Sequence, residues 1–319
     1  MQITRTGATN LLRAVAAAAI FGAMSQNFDP LAYLRANPDV ARAVDEGRMT
    51  SAWRHYVQFG HAENRPGVPE AVRRKVGAVM AASAKIPPSR LIARVHGSSD
   101  AAGFEQVGRA AALDIFAAVD ERISLENRLS ILDFGCGCAR VLRFMAELAP
   151  TSRFQGCDID GEAISWCLAS YPHEVRRARF AFARNGDLPP TPFKSDSFDL
   201  VYGISVFTHL PEDLQLKWLA ELRRLAKPDG LLVLSTQGGG LIRDQLGAED
   251  RRTLDGHGFF YHPYGGTEGL PEYYQAAWHT RAYIDRVWSR YFHIAAHLPA
   301  GVADHQDLVL CVKRRHLAV

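Results

Sequence analysis

Residues 131–140, which read Ile-Leu-Asp-Phe-Gly-Cys-Gly-Cys-Ala-Arg, restrict the possible folds more than any other stretch of this sequence. The apolar run Leu129–Leu132 predicts a buried strand that leads into Asp133. Gly135 and Gly137 follow, and glycine permits a tight turn and a close ligand because it has no Cβ. A helical apolar pattern comes next. The order strand, glycine turn, helix predicts an α/β sheet that binds a small ligand at the carboxyl ends of its strands.

Each of the next three predicted strands is followed by polar residues. The strand Arg153–Cys157 precedes Asp158, the strand Arg179–Ala183 precedes Asp187, and the strand Phe198–Ile204 precedes Ser205. A carboxylate about 20 residues beyond the glycine turn suits the two hydroxyls of a ribose, which makes Asp158 a candidate ligand. The alternative role for such an acid is a helix N-cap, and we interpret Asp160 in this way. An amphipathic helix and a fifth strand, Leu231–Ser235, continue the alternation.

From about residue 130 to residue 235, these motifs resemble those of bacterial class I S-adenosylmethionine-dependent methyltransferases, of the type 11/12/25-like group. The resemblance implies an α/β fold with a Rossmann-like, doubly wound sheet of seven strands, the last of them antiparallel. One departure is Ala139, which stands where the family usually has a third glycine. Alanine is also small, so the departure is mild. Two final predicted strands, Tyr291–Leu298 and Gln306–Lys313, are joined by a short loop, which favours an antiparallel pair.

The resemblance also implies the cofactor, S-adenosyl-L-methionine, and the residues that bind it. The methionine part would lie over the two glycines, with Asp133 helping to fix it. Asp158 would bind the ribose, Asp187 and Leu188 the adenine, and the residues after the fourth strand would lie near the sulfonium. The complete predicted set is Asp133, Gly135, Cys136, Gly137, Asp158, Ile159, Asp187, Leu188, Ile204 and Ser205.

Methyl transfer needs a base only when the acceptor must lose a proton, and His209 is the best-placed candidate. Its alternative role is a hydrogen-bonded histidine that holds the loop. We also predict acceptor contacts from aromatic and histidine side chains in and beyond this loop, although aromatic residues at such spacing often belong to the core. The predicted contacts are Phe207, His209, His262, Tyr273, Tyr274 and His279.

The predicted function is methyl transfer to a small molecule or a glycan-type intermediate. One alternative is an NAD(P)-dependent oxidoreductase, which would require a G-x-G-x-x-G turn and a Tyr-x-x-x-Lys-type pair. Another is a cofactor-binding or scaffold protein without turnover. Nucleic acid is not an expected partner, because the formal net charge is only +3 and the motifs of DNA-methylating enzymes are missing from the sequence. The oligomeric state stays open.

The sequence has five cysteines, an odd number, and we interpret them as buried thiols in a reducing compartment. The Cys136-x-Cys138 pair lacks a second Cys/His pair at zinc spacing, so we predict no metal.

The apolar run 14–24 is too short to span a bilayer, for which a helix needs about 20 residues. We therefore predict a short terminal helix rather than a signal peptide, no stable membrane insertion, and a cytoplasmic location.

We predict four segments along the chain. Residues 1–26 form an N-terminal helix or tail, 27–67 a small all-helical module, 68–86 a linker helix, and 87–319 the methyltransferase domain. The module resembles a short helical repeat of bacterial cell-surface and glycan-associated proteins, and Asp29-Pro30 and Asn37-Pro38 are expected to open two of its helices. Further helices are predicted over Phe104–Val119 and Pro271–Trp288.

Overall fold

A sheet of seven strands organises most of the chain in the computed structural model, which describes residues 27–83, 85–238, 246–262 and 267–314. These residues fall into two units. One contains the residues up to 82 together with 116–124, and the other contains 83–115 and the residues from 125 onward. The predicted tail at 1–26 lies outside the described residues.

The first unit is helical. Its elements are α1 (Pro30–Ala36), α2 (Pro38–Asp45), α3 (Ala52–His55), a π-helical turn (Tyr56–Gly60) and α4 (Glu70–Ala81). The Asp29 carboxylate caps α1 by accepting hydrogen bonds from the Leu31 and Ala32 amides at 2.9 and 3.1 Å. A proline occupies the first turn of both α1 and α2, so both helices begin where the sequence predicts.

The second unit is built on the seven-stranded sheet, whose strands are β1 (Ser130–Phe134), β2 (Arg153–Asp158), β3 (Phe180–Arg184), β4 (Phe198–Gly203), β5 (Ala226–Thr236), β8 (His293–Val302) and β9 (Gln306–Val312). They lie in the sheet in the order β3-β2-β1-β4-β5-β9-β8. The pairs among β1 to β5 are parallel, whereas β9 is antiparallel to both β5 and β8. The predicted fold class is therefore confirmed, including the antiparallel final pair.

Eight further α-helices lie in the described part of the chain. They are α5 (Ser89–His96), α6 (Ala101–Val119), α7 (Leu142–Leu148), α8 (Gly161–Ser170), α9 (Pro172–Arg176), α10 (Glu212–Leu225), α11 (Ala248–His257) and α12 (Arg281–Val287), and the division between the two units falls within α6. In the largest core cluster, Leu132, Val201 and Leu232 of the central strands pack with Trp218 and Leu222 of α10. None of the helices in the described part of the chain has the length and apolar character needed to cross a bilayer.

The predicted helix over Pro271–Trp288 is wrong for most of its length. Ala276–His279 forms β7, which pairs antiparallel with β6 (Phe259–His262) in a small second sheet, and only Arg281–Val287 is helical. Thr280 separates the two elements, because its hydroxyl caps α12 by accepting a hydrogen bond from the Tyr283 amide at 3.2 Å. A short apolar run does not reveal its period, so the sequence pattern could not distinguish this strand from a helix.

Candidate cofactor and acceptor site

The strand order reverses between β1 and β4, since the chain moves from β1 towards β3 on one side and from β4 to β5 on the other. Such a reversal opens a crevice at the carboxyl ends of the strands. A cavity lies at this place, and nine of the ten predicted cofactor residues line it: Asp133, Gly135, Cys136, Gly137, Asp158, Ile159, Asp187, Ile204 and Ser205. Leu188 is not in the lining, and its side chain is exposed.

The two loop glycines are required by both conformation and space. Their φ angles are +74° at Gly135 and +48° at Gly137, in the left-handed region. A Cβ at Gly135 would lie 2.3 Å from Cγ2 of Val206, and one at Gly137 would lie 2.8 Å from Cγ2 of Val95. Cys136 stands between the glycines, and burial raises the pKa of its thiol well above the ordinary value, so it is not a nucleophile at neutral pH.

Asp158 and Asp160 have different roles. The two carboxylate oxygens of Asp158 accept hydrogen bonds from the amides of Gly137, at 2.7 Å, and Asp160, at 2.8 Å. Burial raises the pKa of Asp158 to about 6, and these backbone bonds oppose the rise. Asp160 caps α8 by accepting from the amides of its first turn, and its other oxygen pairs with Nη1 of Arg94 at 3.0 Å. It is therefore an N-cap, as the sequence predicts.

Several buried polar atoms at the cavity have no hydrogen-bond partner among the described residues: Oδ2 of Asp133, Nε of Arg140 and Oδ1 of Asn185. Burial raises the pKa of Asp133 to about 8 and lowers that of Arg140 to about 10. Our sequence reasoning missed Arg140 and Asn185. The available signal was their position, since one directly follows the glycine loop and the other follows the third predicted strand.

Tyr273 and Tyr274, which were predicted to contact the acceptor, line the same cavity as the predicted cofactor residues. The Tyr273 hydroxyl lies beside Asp187, which raises the pKa of that hydroxyl further above a value already raised by burial. The Tyr274 ring stacks on the His209 ring with centroids 4.2 Å apart and lies within electrostatic range of Asp158. Both tyrosines therefore face residues that were predicted to bind the cofactor.

His209 is not in the cavity lining and lies against Tyr274. Its Nδ1 donates a hydrogen bond to the carbonyl oxygen of Gln275 at 2.7 Å, which leaves Nε2 as the unprotonated nitrogen in the neutral ring. Burial lowers the pKa of His209 to about 4, so the ring is neutral at pH 7. The geometry gives His209 the tautomer of a base and also a role in holding the segment that carries Tyr274.

The structure places the other predicted acceptor contacts outside the cavity lining. Phe207 is fully buried in the core, and His262 lies at the end of β6. His279 is buried, and its Nε2 donates to Oε1 of Gln215 at 2.8 Å. Nε2 of Gln215 donates in turn to the carbonyl oxygens of Phe207, at 2.9 Å, and Leu210, at 2.8 Å. This pair of side chains therefore supports the loop that follows β4.

The cavity suits S-adenosylmethionine. Its glycine loop allows close approach of the cofactor, the Asp158 oxygens have lone pairs left for ribose hydroxyls, and the unpartnered polar atoms offer partners for the charged end. All five cysteines are free and buried. Within the described ranges, no group of three or more His, Cys, Asp or Glu residues is placed to hold a metal ion.

Comparisons with known proteins agree with this geometry. A family model described as a methyltransferase domain matches residues 131–230, the stretch that contains the glycine loop, Asp158 and Asp187. The chain is similar in structure to a 1,6-didemethyltoxoflavin-N1-methyltransferase from Burkholderia thailandensis, with 16% identity, 73% of this chain and 93% of that chain covered, and a TM-score of 0.48.

Two more solved structures are similar to this chain. A methyltransferase dependent on S-adenosylmethionine from Methanosarcina mazei has 19% identity, with 60% of this chain and 96% of that chain covered and a TM-score of 0.44. A second S-adenosylmethionine-dependent methyltransferase, from Aquifex aeolicus, has 14% identity, with 67% of this chain and 98% of that chain covered and a TM-score of 0.42. The matching family model places a methyltransferase domain at residues 131–230, and together with the motifs of the cavity it identifies the chain as an S-adenosylmethionine-dependent methyltransferase enzyme.

Proposed function

We propose that this enzyme transfers a methyl group to a small molecule or a glycan-type intermediate. The observation that carries the proposal is that two aromatic side chains, Tyr273 and Tyr274, line the same cavity as the proposed cofactor residues. Aromatic rings with polar tips also suit a sugar ring or an aromatic acceptor. The small net charge of +3 gives no electrostatic support for nucleic acid.

The proposed binding roles follow the strand ends. Asp158 accepts hydrogen bonds from the ribose hydroxyls, and Asp187 and Leu188 contact the adenine. Gly135, Cys136 and Gly137 lie against the methionine part. The remaining proposed cofactor contacts are Asp133, Ile159, Ile204 and Ser205. Bound S-adenosylmethionine supplies an activated methyl group, so the protein mainly aligns the acceptor with it and excludes water.

We keep His209 as the proposed base for an acceptor that must lose a proton. Its unprotonated Nε2 supports this role, whereas its position behind Tyr274 means that the tyrosine has to move aside first. An acceptor that is already nucleophilic needs no such step. A role in acceptor binding remains a prediction for Phe207, His262 and His279. Because Phe207 and His279 are buried, we favour for these two a role in holding the loop that follows β4.

We also propose a cytoplasmic location, since the cofactor is made and used there, and independent folding of the segment 87–319. Residues 68–86 would then be a linker and 27–67 a separate module. A chain that lacks residues 1–67 is expected to remain folded and to bind the cofactor. Aggregation of that chain, or loss of cofactor binding, would contradict the proposed boundaries.

The test of the function is a screen of cell-extract fractions with methyl-labelled cofactor, followed by mass identification of the labelled product. We expect label in a small molecule or a glycan-type compound, and much less of it with the Asp158→Ala variant at the same cofactor concentration. Label in protein or nucleic acid would refute the proposed acceptor class. Calorimetry addresses the alternatives, because an NAD(P)-dependent oxidoreductase would bind NAD and not S-adenosylhomocysteine.

A further inference from the structure

The segment 268–275, which we call the strap, is held at both of its ends. At one end, Nε of Arg94 on α5 donates a hydrogen bond to the carbonyl oxygen of Glu268 at 3.1 Å. At the other end, the Gln275 amide donates to the carbonyl oxygen of His209 at 3.1 Å, and Nδ1 of His209 donates to the carbonyl oxygen of Gln275 at 2.7 Å. The strap therefore runs from α5 to the loop that follows β4.

The middle of the strap faces the cofactor cavity, because Leu270, Tyr273 and Tyr274 are among the residues that line it. The Tyr273 hydroxyl lies beside Asp187, and Tyr274 is within electrostatic range of Asp158. These two carboxylates are the proposed partners of the adenine and the ribose. The strap therefore lies beside the same groups that the cofactor is proposed to use.

Arg94 is held in place by two acids at the start of α8. Its Nη1 lies 3.0 Å from Oδ2 of Asp160 and 2.9 Å from Oε2 of Glu162. The side chain of Arg94 is partly buried and itself lines the cavity. Because the guanidinium is already ordered by these two ion pairs, its hydrogen bond to the Glu268 carbonyl oxygen costs little additional entropy.

The strap approaches Arg94 at a glycine. Gly269 has a φ of +84°, in the left-handed region, and an added Cβ at this position would lie 2.6 Å from Cζ of Arg94. Any larger residue would therefore displace the guanidinium from the neighbouring Glu268 carbonyl oxygen. The local sequence of the strap thus suits a close contact with this arginine, beyond the single hydrogen bond that joins them.

We propose that Arg94 is the latch of the strap, and that the strap opens at this end when the cofactor enters and leaves. This inference rests on the proposed placement of the cofactor in the cavity. The Gln275 end is the hinge, because two hydrogen bonds hold its backbone and the chain continues directly into β7. The Glu268 end is held through a side chain, which can release it without disturbing a strand. Tyr273 leaves Asp187 in the same motion.

A latch has a kinetic signature that a direct ligand contact lacks. Arg94 holds the strap in the free protein and again after the cofactor has entered, so its loss eases opening by the same factor in both states. Association and dissociation then accelerate together, and the equilibrium affinity hardly changes, because the lost interaction does not distinguish the two states. Loss of a direct contact would instead weaken affinity, mainly through faster dissociation.

The test is stopped-flow mixing of the whole chain with S-adenosylhomocysteine, followed by tryptophan fluorescence, since Trp218 lines the cavity. In Arg94→Met, we expect both rate constants to rise about tenfold, the lower end for a lost hydrogen bond to a charged group because the side chain is partly exposed. The dissociation constant should stay within about threefold. Hydrogen exchange of the strap amides in the free protein should also become about tenfold faster.

Arg90→Met is the matched control. Arg90 lies one turn before Arg94 on α5, and its Nε donates to the same acid, Glu162, at 2.6 Å, but Arg90 is outside the cavity lining. Its replacement should leave both rate constants and the exchange of the strap unchanged. If Arg94→Met does not fold, Tyr273→Phe removes only the hydroxyl beside Asp187, and it should raise the association rate and the exchange of the strap.

The inference is overturned if a folded Arg94→Met protein keeps both wild-type rates, or if its affinity falls while association is unchanged, which is the pattern of a direct contact. Equal acceleration in Arg90→Met would overturn it as well. Its failure can be told from failure of the proposed function. A wild-type protein that does not bind S-adenosylhomocysteine would remove the cofactor assignment, and hydrogen exchange in the free protein would still show whether Arg94 holds the strap.

Discussion

Cofactor affinity should depend on pH through Asp133. Burial raises the pKa of this carboxyl to about 8, with the nearby Asp158 adding to the rise and the Tyr202 hydroxyl opposing it. Asp133 is proposed to fix the methionine part of the cofactor, whose ammonium group pairs with the ionised carboxylate, so the protonated form has to lose its proton first. The sign follows directly: affinity falls as the pH falls below the carboxyl pKa of the free protein.

The size of the effect follows from the ionised fraction. With a pKa of about 8, roughly one-quarter of the carboxyl is ionised at pH 7.5 and about one-thirtieth at pH 6.5. The apparent affinity should therefore fall about eightfold over this window. Asp158, with a pKa of about 6, contributes little above pH 6.5. An α-ammonium group has a pKa of about 8, so the ligand stays mostly protonated throughout.

Calorimetric titration with S-adenosylhomocysteine, in buffers of different ionisation enthalpy, measures both the affinity and the protons released. Near pH 7, about 0.9 proton should leave Asp133 and about 0.1 should be taken up by the ligand ammonium, a net release of about 0.8 for each ligand bound. The control is Asp133→Asn, an isosteric side chain that does not titrate, for which affinity should be lower and nearly flat from pH 6.5 to 7.5. A flat profile in the wild type, or an equal slope in the variant, would refute the assignment of the ammonium to Asp133.

Four further outcomes are expected. Asp158→Ala should lower affinity for S-adenosylhomocysteine about 10- to 100-fold by calorimetry. Asp160→Ala should instead reduce stability by about 1 kcal/mol in denaturant unfolding, with affinity little changed, because the lost group is a helix cap. Gly137→Ala should weaken cofactor binding in the same titration, since the left-handed φ and the close neighbour both oppose a Cβ. For a hydroxyl acceptor, His209→Ala should lower kcat by about 10²–10⁴ with cofactor affinity nearly unchanged, and a small effect would remove the base assignment.

Much of the cofactor side could be predicted from the sequence because its signals are local. Each strand end carries its own polar residue, and the glycines at 135 and 137 report a backbone conformation that other residues rarely adopt. The doubly wound sheet was implied by the family resemblance, and the antiparallel final pair followed from one short loop. Asp160 was interpreted as a cap for the same reason, since its partners lie two and three residues along the chain.

The parts that could not be predicted depend on tertiary structure. That Nε of Arg140 has no hydrogen-bond partner becomes visible only when α6 and the loop are packed together. The pairing of Phe260 with Trp278, which makes β7 a strand, joins residues that are far apart in sequence. The position of Tyr273 over Asp187 is likewise a contact between distant segments. From the sequence, these aromatic residues could be predicted to line a pocket. It could not be predicted whether they lie beside the cofactor or beside the acceptor.

The two ends of the site are therefore built in different ways. On the acceptor side, His209 and Gln215 donate their hydrogen bonds to backbone carbonyls, which fixes the loop after β4 and the segment that carries Tyr274. On the cofactor side, Asp133 and Arg140 keep polar atoms unpartnered at the cavity. A charged ligand end can satisfy such atoms, whereas a fixed loop can only align what enters. We infer that charge selects the cofactor and that shape selects the acceptor.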